Sequence, residues 1–223
     1  MEPTQVRTTL QAMFETWGRP RTMRFDNGTP WGTTTQVPSA LALWLVGLGI
    51  EPVLGRPKQS TDNAVVERSH GVLNGWVEPQ QCADFEDLQS NLQAFVKFQR
   101  ERYPHRQGQS RLETYPELMR QPRPYHRAQD AQLWSLQKVL DYLATFRFQR
   151  KVEVNGRFTL LNREYSLGRA FKRQTVAVQM DAQARQWVIY DAYGEEIARH
   201  DPEDLTYETI FDMTLAYRRR GRT

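Results

Sequence analysis

The sequence predicts an α/β segment followed by a small all-β barrel, and three observations carry that prediction. Apolar residues recur at helical spacing over 4–17, 39–48, 62–76, 84–102 and 128–144. Two short strand-like runs, 21–26 and 50–54, separate the first three of these helices. From Phe146 the period shortens to two, and turn residues then punctuate the chain every few positions.

Each element has its own warrant. Thr4 can cap the first helix, whose apolar face is Val6, Leu10, Met13, Phe14 and Trp17, and Gly18 and Pro20 end it. Residues 21–26 form a strand that runs straight into the Asn27-Gly28 turn. Ser39 caps the second helix, and residues 55–61 have the composition of a loop. Asp62 or Thr61 caps the third helix, while Phe85, Leu88, Leu92, Phe95 and Phe98 give the fourth an apolar side. Residues 103–126, rich in Pro, Arg, His and Tyr, read as an extended arm. The helix over 128–144 buries Leu133, Leu136, Val139, Leu140 and Leu143. Strands over 146–154, 158–161, 164–167, 175–180, 187–191 and 195–199 then form the barrel, with turns at Asn155-Gly156, Asn162-Arg163, Gly168 and Tyr193-Gly194. The expected organisation is a first domain over 1–125, a helical linker over 126–145, a barrel over 146–200, and an acidic segment with a basic tail over 201–223.

Composition narrows the class of protein. At 223 residues with 39% hydrophobic content the chain can bury real cores. The formal net charge is +4, and the 30 cations are mostly arginine, whose planar fork suits phosphate. The longest apolar run, Ala40 to Ile50, is far short of the roughly 20 residues that cross a bilayer. No signal peptide is visible, and the single Cys82 excludes an intramolecular disulfide framework. The expected location is the cytoplasm, without membrane partners. The four histidines and Cys82 do not fall in a zinc-ligand spacing.

Two carboxylates stand out. Asp26 closes a short strand immediately before Asn27-Gly28, and Glu67 lies in the third helix, with 40 residues between them. Two acids held on different rigid elements can share a divalent cation, which a lone surface acid does poorly. Helical register places Asn63, Glu67, His70 or Gly71, and Asn74 on one face. Asn63 and His70 could contact DNA or orient Glu67, although His70 equally suits helix packing. Arg56, Lys58 and Arg68 flank Glu67 and could grip phosphates, or sit in a solvated loop. Over 146–200 there are 10 cations against 6 acids, interleaved with aromatics, which suits contact with a nucleic-acid backbone.

Taken together, Phe25-Asp26-Asn27-Gly28, Arg56-Pro57, the run Asp62-Asn63-Ala64-Val65-Val66-Glu67-Arg68-Ser69-His70-Gly71-Val72-Leu73-Asn74, and Arg102-Tyr103-Pro104-His105 resemble the catalytic core of insertion-sequence transposases and retroviral-type integrases. Lys151-Val152-Glu153-Val154-Asn155-Gly156, Tyr165-Ser166-Leu167, Val176-Ala177-Val178 and Trp187-Val188-Ile189-Tyr190-Asp191 resemble the SH3-like C-terminal barrel of such transposases. The resemblance implies a ribonuclease H-like core with Asp26 as the second and Glu67 as the third catalytic carboxylate. It implies Mg²⁺ or Mn²⁺ as cofactor, DNA as partner, and assembly as a homo-oligomer or with an intact transposase. In that family three carboxylates hold two metal ions that activate a water or 3′-hydroxyl and stabilise the leaving oxygen.

Three departures matter. Ala64 stands where the family often has Gly, and the interval between the two acids is longer than usual. The family's first Asp lies on a strand before the first helix, whereas the only acids upstream of Asp26 are Glu2 and Glu15. The core is thus expected to lack its opening strands, as in an N-terminally truncated copy, and to bind metal weakly. The implied activity is DNA strand cleavage and joining in transposition or integration, with this chain expected to be inactive alone. The alternative is a non-catalytic DNA-binding transposase remnant that interferes with an intact copy; a more distant one is a structural or RNA-binding protein that keeps the barrel.

Overall fold

The computed structural model of the protein describes residues 2–25, 37–55, 64–202 and 205–213. It is an α/β protein with helices and several sheets. Contacts divide it into two compact units, Met1–Leu54 with Pro124–Thr223, and Gly55–Arg123.

The first unit begins with α1 (Pro3–Trp17). Pro3 opens the helix, where its missing N–H costs nothing, so the cap is Glu2 rather than the expected Thr4. Gly18, at φ 78°, ends it. Val6, Leu10 and Phe14 are buried, whereas Met13 and Trp17 remain 48% and 47% exposed. Strand β1 (Thr22–Phe25) pairs in parallel with β2 (Glu51–Leu54), with Thr22 opposite Glu51 and Phe25 opposite Leu54. Parallel neighbours need a crossover, and the connection contains α2 (Ala40–Gly47). The Ser39 hydroxyl accepts from the Ala42 N–H at 3.1 Å, as its sequence position predicts. All eight residues of α2 are buried, which explains its apolar run.

The helix expected over 128–144 is broken in two. A 3₁₀ turn leads into α6 (Asp130–Leu133), the chain extends at Trp134 and Ser135, and α7 runs from Leu136 to Ala144. The break exists because the Ser135 N–H bonds outward to the Gly47 carbonyl at 2.9 Å. Trp134 fills the space beside Gly47 so closely that a Cβ there would lie 1.9 Å from its indole nitrogen. Asp130 is 2% exposed and accepts hydrogen bonds from Gln11 Nε2 at 3.0 Å, Trp44 Nε1 at 3.1 Å, Tyr207 Oη at 3.2 Å and the Tyr125 hydroxyl. Burial first, with the neighbouring Asp130 carboxylate, pushes both phenols above their ordinary pKa.

Helix α7 buries Val139, Leu140 and Leu143, and packs against α2 and the four-stranded sheet. That sheet is antiparallel, in the order β3 (Arg147–Lys151), β6 (Thr175–Asp181), β7 (Gln186–Tyr190), β8 (Glu196–His200). Strands β4 (Arg157–Leu160) and β5 (Arg163–Ser166) form a separate hairpin. Its turn residues are Leu161 and Asn162, both at positive φ, one position earlier than the sequence suggests. Tyr165 of β5 meets the His200 ring of β8 at 5.5 Å. Among the described residues the strands do not close into a barrel by backbone pairing. Helix α8 (Tyr207–Phe211), capped by Thr206, packs on α2.

The second unit holds α3 (Ala64–Trp76), α4 (Phe85–Glu101) and α5 (Arg111–Thr114). Asp84 caps α4 by accepting from the Asp87 N–H at 2.8 Å. Trp76 lies 4.7 Å from Phe98, ring to ring. The stretch expected to be an extended arm instead folds locally. Gly108 turns at φ 79°, Ser110 and Glu113 cap α5 reciprocally, and a 3₁₀ turn follows at Pro116–Met119.

Asp130→Ala is expected to destabilise the protein by about 3 kcal/mol or more, because four donors lose a buried charged acceptor. Asp130→Asn, which keeps an oxygen, should lose less. Urea unfolding of both variants beside the parent checks this, and equal midpoints would show that the network contributes little.

Candidate functional site

Asp26 lies outside the described residues, as do Arg56, Lys58 and Asn63. The residue before Asp26, Phe25, is the last of β1, and Leu54 opposite it is the last of β2. The two strands therefore end at the same edge of the parallel pair. In open α/β sheets the carboxyl ends of parallel strands are where ligands bind.

Glu67 is on the first turns of α3 and is exposed, as are Arg68, Ser69 and His70. Gly71 and Asn74 are exposed as well, whereas Val72 and Leu73 are half-buried. The polar face read from the register is thus a solvent-facing face, and His70 does not pack into a core. A Cβ at Gly71 or Gly75 would meet nothing within 4 Å, so the helix surface there is open. Val77, at 5% exposure, closes the helix by donating its N–H to the Leu73 carbonyl at 2.8 Å.

Glu2 and Glu15, the acids before Asp26, both belong to α1: Glu2 is its cap, and Glu15 accepts from the Arg127 N–H at 3.0 Å. Among the described residues no strand precedes β1. Nor do three His, Cys, Asp or Glu side chains converge there as metal ligands. Asp26 and Asp62 fall outside that set. The Tyr-Pro-His segment packs within its own unit, with Tyr103 against Phe98 at 6.1 Å and His105 against Tyr115 at 5.7 Å.

Over 146–200 part of the positive charge is neutralised internally. Arg157 pairs with Glu164 at 3.1 Å, and Arg199 with Glu196 at 2.8 Å and Asp181 at 3.0 Å. Asp181 lies below the ordinary carboxylate range, first because the Ala184 N–H bonds to it and then because of Arg199; Arg199 likewise lowers Glu196.

Two features escaped the sequence reading. Asp130 looks like an ordinary first-turn acid, and its partners lie 119, 86, 77 and 5 residues away. Arg173 adopts φ 64°, where Gly or Asn is the usual residue, and nothing in its local sequence marks a turn. No protein-family model matches the chain.

Because Glu67 and His70 are exposed, Glu67→Gln and His70→Ala should leave stability within about 0.5 kcal/mol of the parent. Thermal unfolding checks this. A large loss would show that α3 uses these side chains to fold.

Proposed function

We propose that this chain is a DNA transposition or integration protein, built on a ribonuclease H-like arrangement with an SH3-like C-terminal sheet. In this reading the parent activity is metal-dependent DNA cleavage and joining, and the 223 residues lack the first of three carboxylates. The observation that carries it is the parallel pair of β1 and β2, which ends with Phe25 immediately before Asp26. An exposed Glu67 on α3, with Arg68 and His70 beside it, supports the same reading.

The donor chemistry fits a hard divalent cation. Asp26 and Glu67 would hold Mg²⁺ or Mn²⁺ through carboxylate oxygens, the ligand type both ions prefer. Such an ion supplies Lewis-acid stabilisation of charge on phosphoryl oxygens. The chain's own part is to place those carboxylates and to bind the DNA backbone through Arg56, Lys58, Asn63, Arg68 and His70. Glu2 and Glu15, both committed to α1, do not supply a third strand-borne carboxylate.

The test is a strand-transfer assay with Mg²⁺ or Mn²⁺ on the purified chain, beside Asp26→Asn and Glu67→Gln, with duplex binding measured in parallel. DNA binding without joining is expected, since losing one metal ligand removes several kcal/mol of transition-state stabilisation. Robust joining that both substitutions abolish would show a complete site. Absence of DNA binding at low salt would remove the reading altogether.

A further inference from the structure

Parallel sheets are usually covered on both faces and built from several strands, yet among the described residues β1 and β2 pair only with each other. Their hydrogen bonds show which way each backbone points. The Glu51 N–H donates to the Arg21 carbonyl at 2.9 Å, and Thr22 stands opposite Glu51. In a parallel ladder alternate residues bond to the same neighbour. Arg21, Met23 and Phe25 therefore turn their backbone groups toward β2, and Thr22 and Arg24 turn theirs away. Both outward residues are exposed. Among the described residues no hydrogen bond or ion pair reaches them from outside the pair. By the same alternation Pro52 of β2 faces away from β1, and it has no N–H to offer.

The two outer edges thus differ. Proline guards the edge of β2, whereas the edge of β1 presents a donor and an acceptor at both Thr22 and Arg24. Two copies of the β1 edge fit each other antiparallel, about a twofold axis through Met23. In that register Thr22 and the partner's Arg24 exchange both backbone bonds, as do Arg24 and the partner's Thr22. Met23 then meets its own copy as the close, non-hydrogen-bonded pair, with Cα atoms about 4.5 Å apart. The side chains suit this register. Met23 is half-buried against the core on the same face as buried Phe25, and a second Met23 covers the side left open. On the solvent face each Arg24 stands opposite a threonine, in a row that continues to the exposed Glu51. No like charges face each other across the axis.

We propose that the outer edge of β1 is a pairing surface for a second copy of this chain, joining two parallel pairs into one sheet in the order β2-β1-β1-β2. The pairing is independent of the proposed function, since it needs neither DNA nor metal. It is also closed. Both outer edges of the joined sheet carry Pro52, so growth stops at two copies. Strands this short bury little area, so the association is weak and depends on concentration.

Sedimentation velocity of the whole chain across a concentration series reads the association, and the parent should pass from monomer to dimer. Arg24→Pro removes only an outward N–H and sets the ring in the path of the incoming strand. It should weaken association about 30-fold, for the two hydrogen bonds lost per dimer. Arg24→Thr keeps the N–H and should stay within about threefold of the parent. Circular dichroism and melting of the dilute proteins show whether the proline variant keeps its fold. A second readout does not depend on that variant. In a Cys82→Ser background, Met23→Cys should form an intermolecular disulfide on mild oxidation, because its Cα lies within bridging distance of its copy. Thr22→Cys should not, since in this register its Cα atoms are about 8 Å apart. A parent that stays monomeric throughout the series overturns the proposal. So does a dimer that folded Arg24→Pro leaves intact, or faster cross-linking through Thr22→Cys than through Met23→Cys.

Discussion

A single buried carboxylate organises the larger unit. Asp130 takes donors from α1, α2, the Tyr125 approach and α8, so four separate segments converge on one side chain. Burying a charge costs several kcal/mol unless it is paired or fully hydrogen-bonded, and here four donors meet it. The arrangement specifies more than it stabilises. An apolar residue could fill the space, but it would not tell Trp44, Gln11 and the two phenols where to point. Tyr125 has a second role, because it stands one residue after Pro124, where the chain re-enters this unit. Its hydroxyl on Asp130 and its ring against Phe14 at 5.7 Å fix that re-entry point.

Much of the local structure was legible because local chemistry decides it. Ser39 caps the helix its position suggests, and each strand of 147–200 falls within a few residues of its pattern. The failures share a cause. The break at Trp134 depends on Gly47, which lies 87 positions earlier in the chain, and no window of sequence around 134 contains that information. Asp130 carries no local mark for the same reason, since three of its four partners lie 77 or more residues away. The arm over 103–126 failed differently: Pro and Arg content argued for extension, but Ser110 and Glu113 form a capping box that outweighs it locally. At the candidate site, Glu67, His70, Gly71 and Asn74, which the register of α3 places on one face, are all exposed.

Charge in the C-terminal sheet follows the same division between local and distant control. Arg199 reaches Glu196 three residues away and Asp181 across the sheet, and such solvent-exposed pairs contribute little to stability. Their larger effect is to remove a cation from the protein's outward field. Counting 10 cations against 6 acids over 146–200 therefore overstates how many cations act outward, since Arg157 and Arg199 are each held by acids. A composition-level argument sees the excess, and only the pairing shows where it lies.

The two candidate carboxylates differ in how firmly their elements are held. Phe25, the residue before Asp26, is 8% exposed and belongs to the continuous core around α2. Helix α3 lies in the unit over 55–123, where Val77 is the one buried apolar side chain among the described residues. No residue of α4 is buried, and Phe85 is 76% exposed. Caps at Asp84 and Ser110 and ring contacts of the exposed Trp76 with half-buried Phe95 and Phe98 are among the interactions there. Segments with few buried apolar contacts open at lower free energy than the core does. Catalytic geometry is unforgiving, and a misplacement of about 1 Å can cost on the order of 100-fold in rate. Under the proposed function, Glu67 therefore stands on a helix of a unit with few buried apolar contacts, whereas the strand leading to Asp26 belongs to a continuous core.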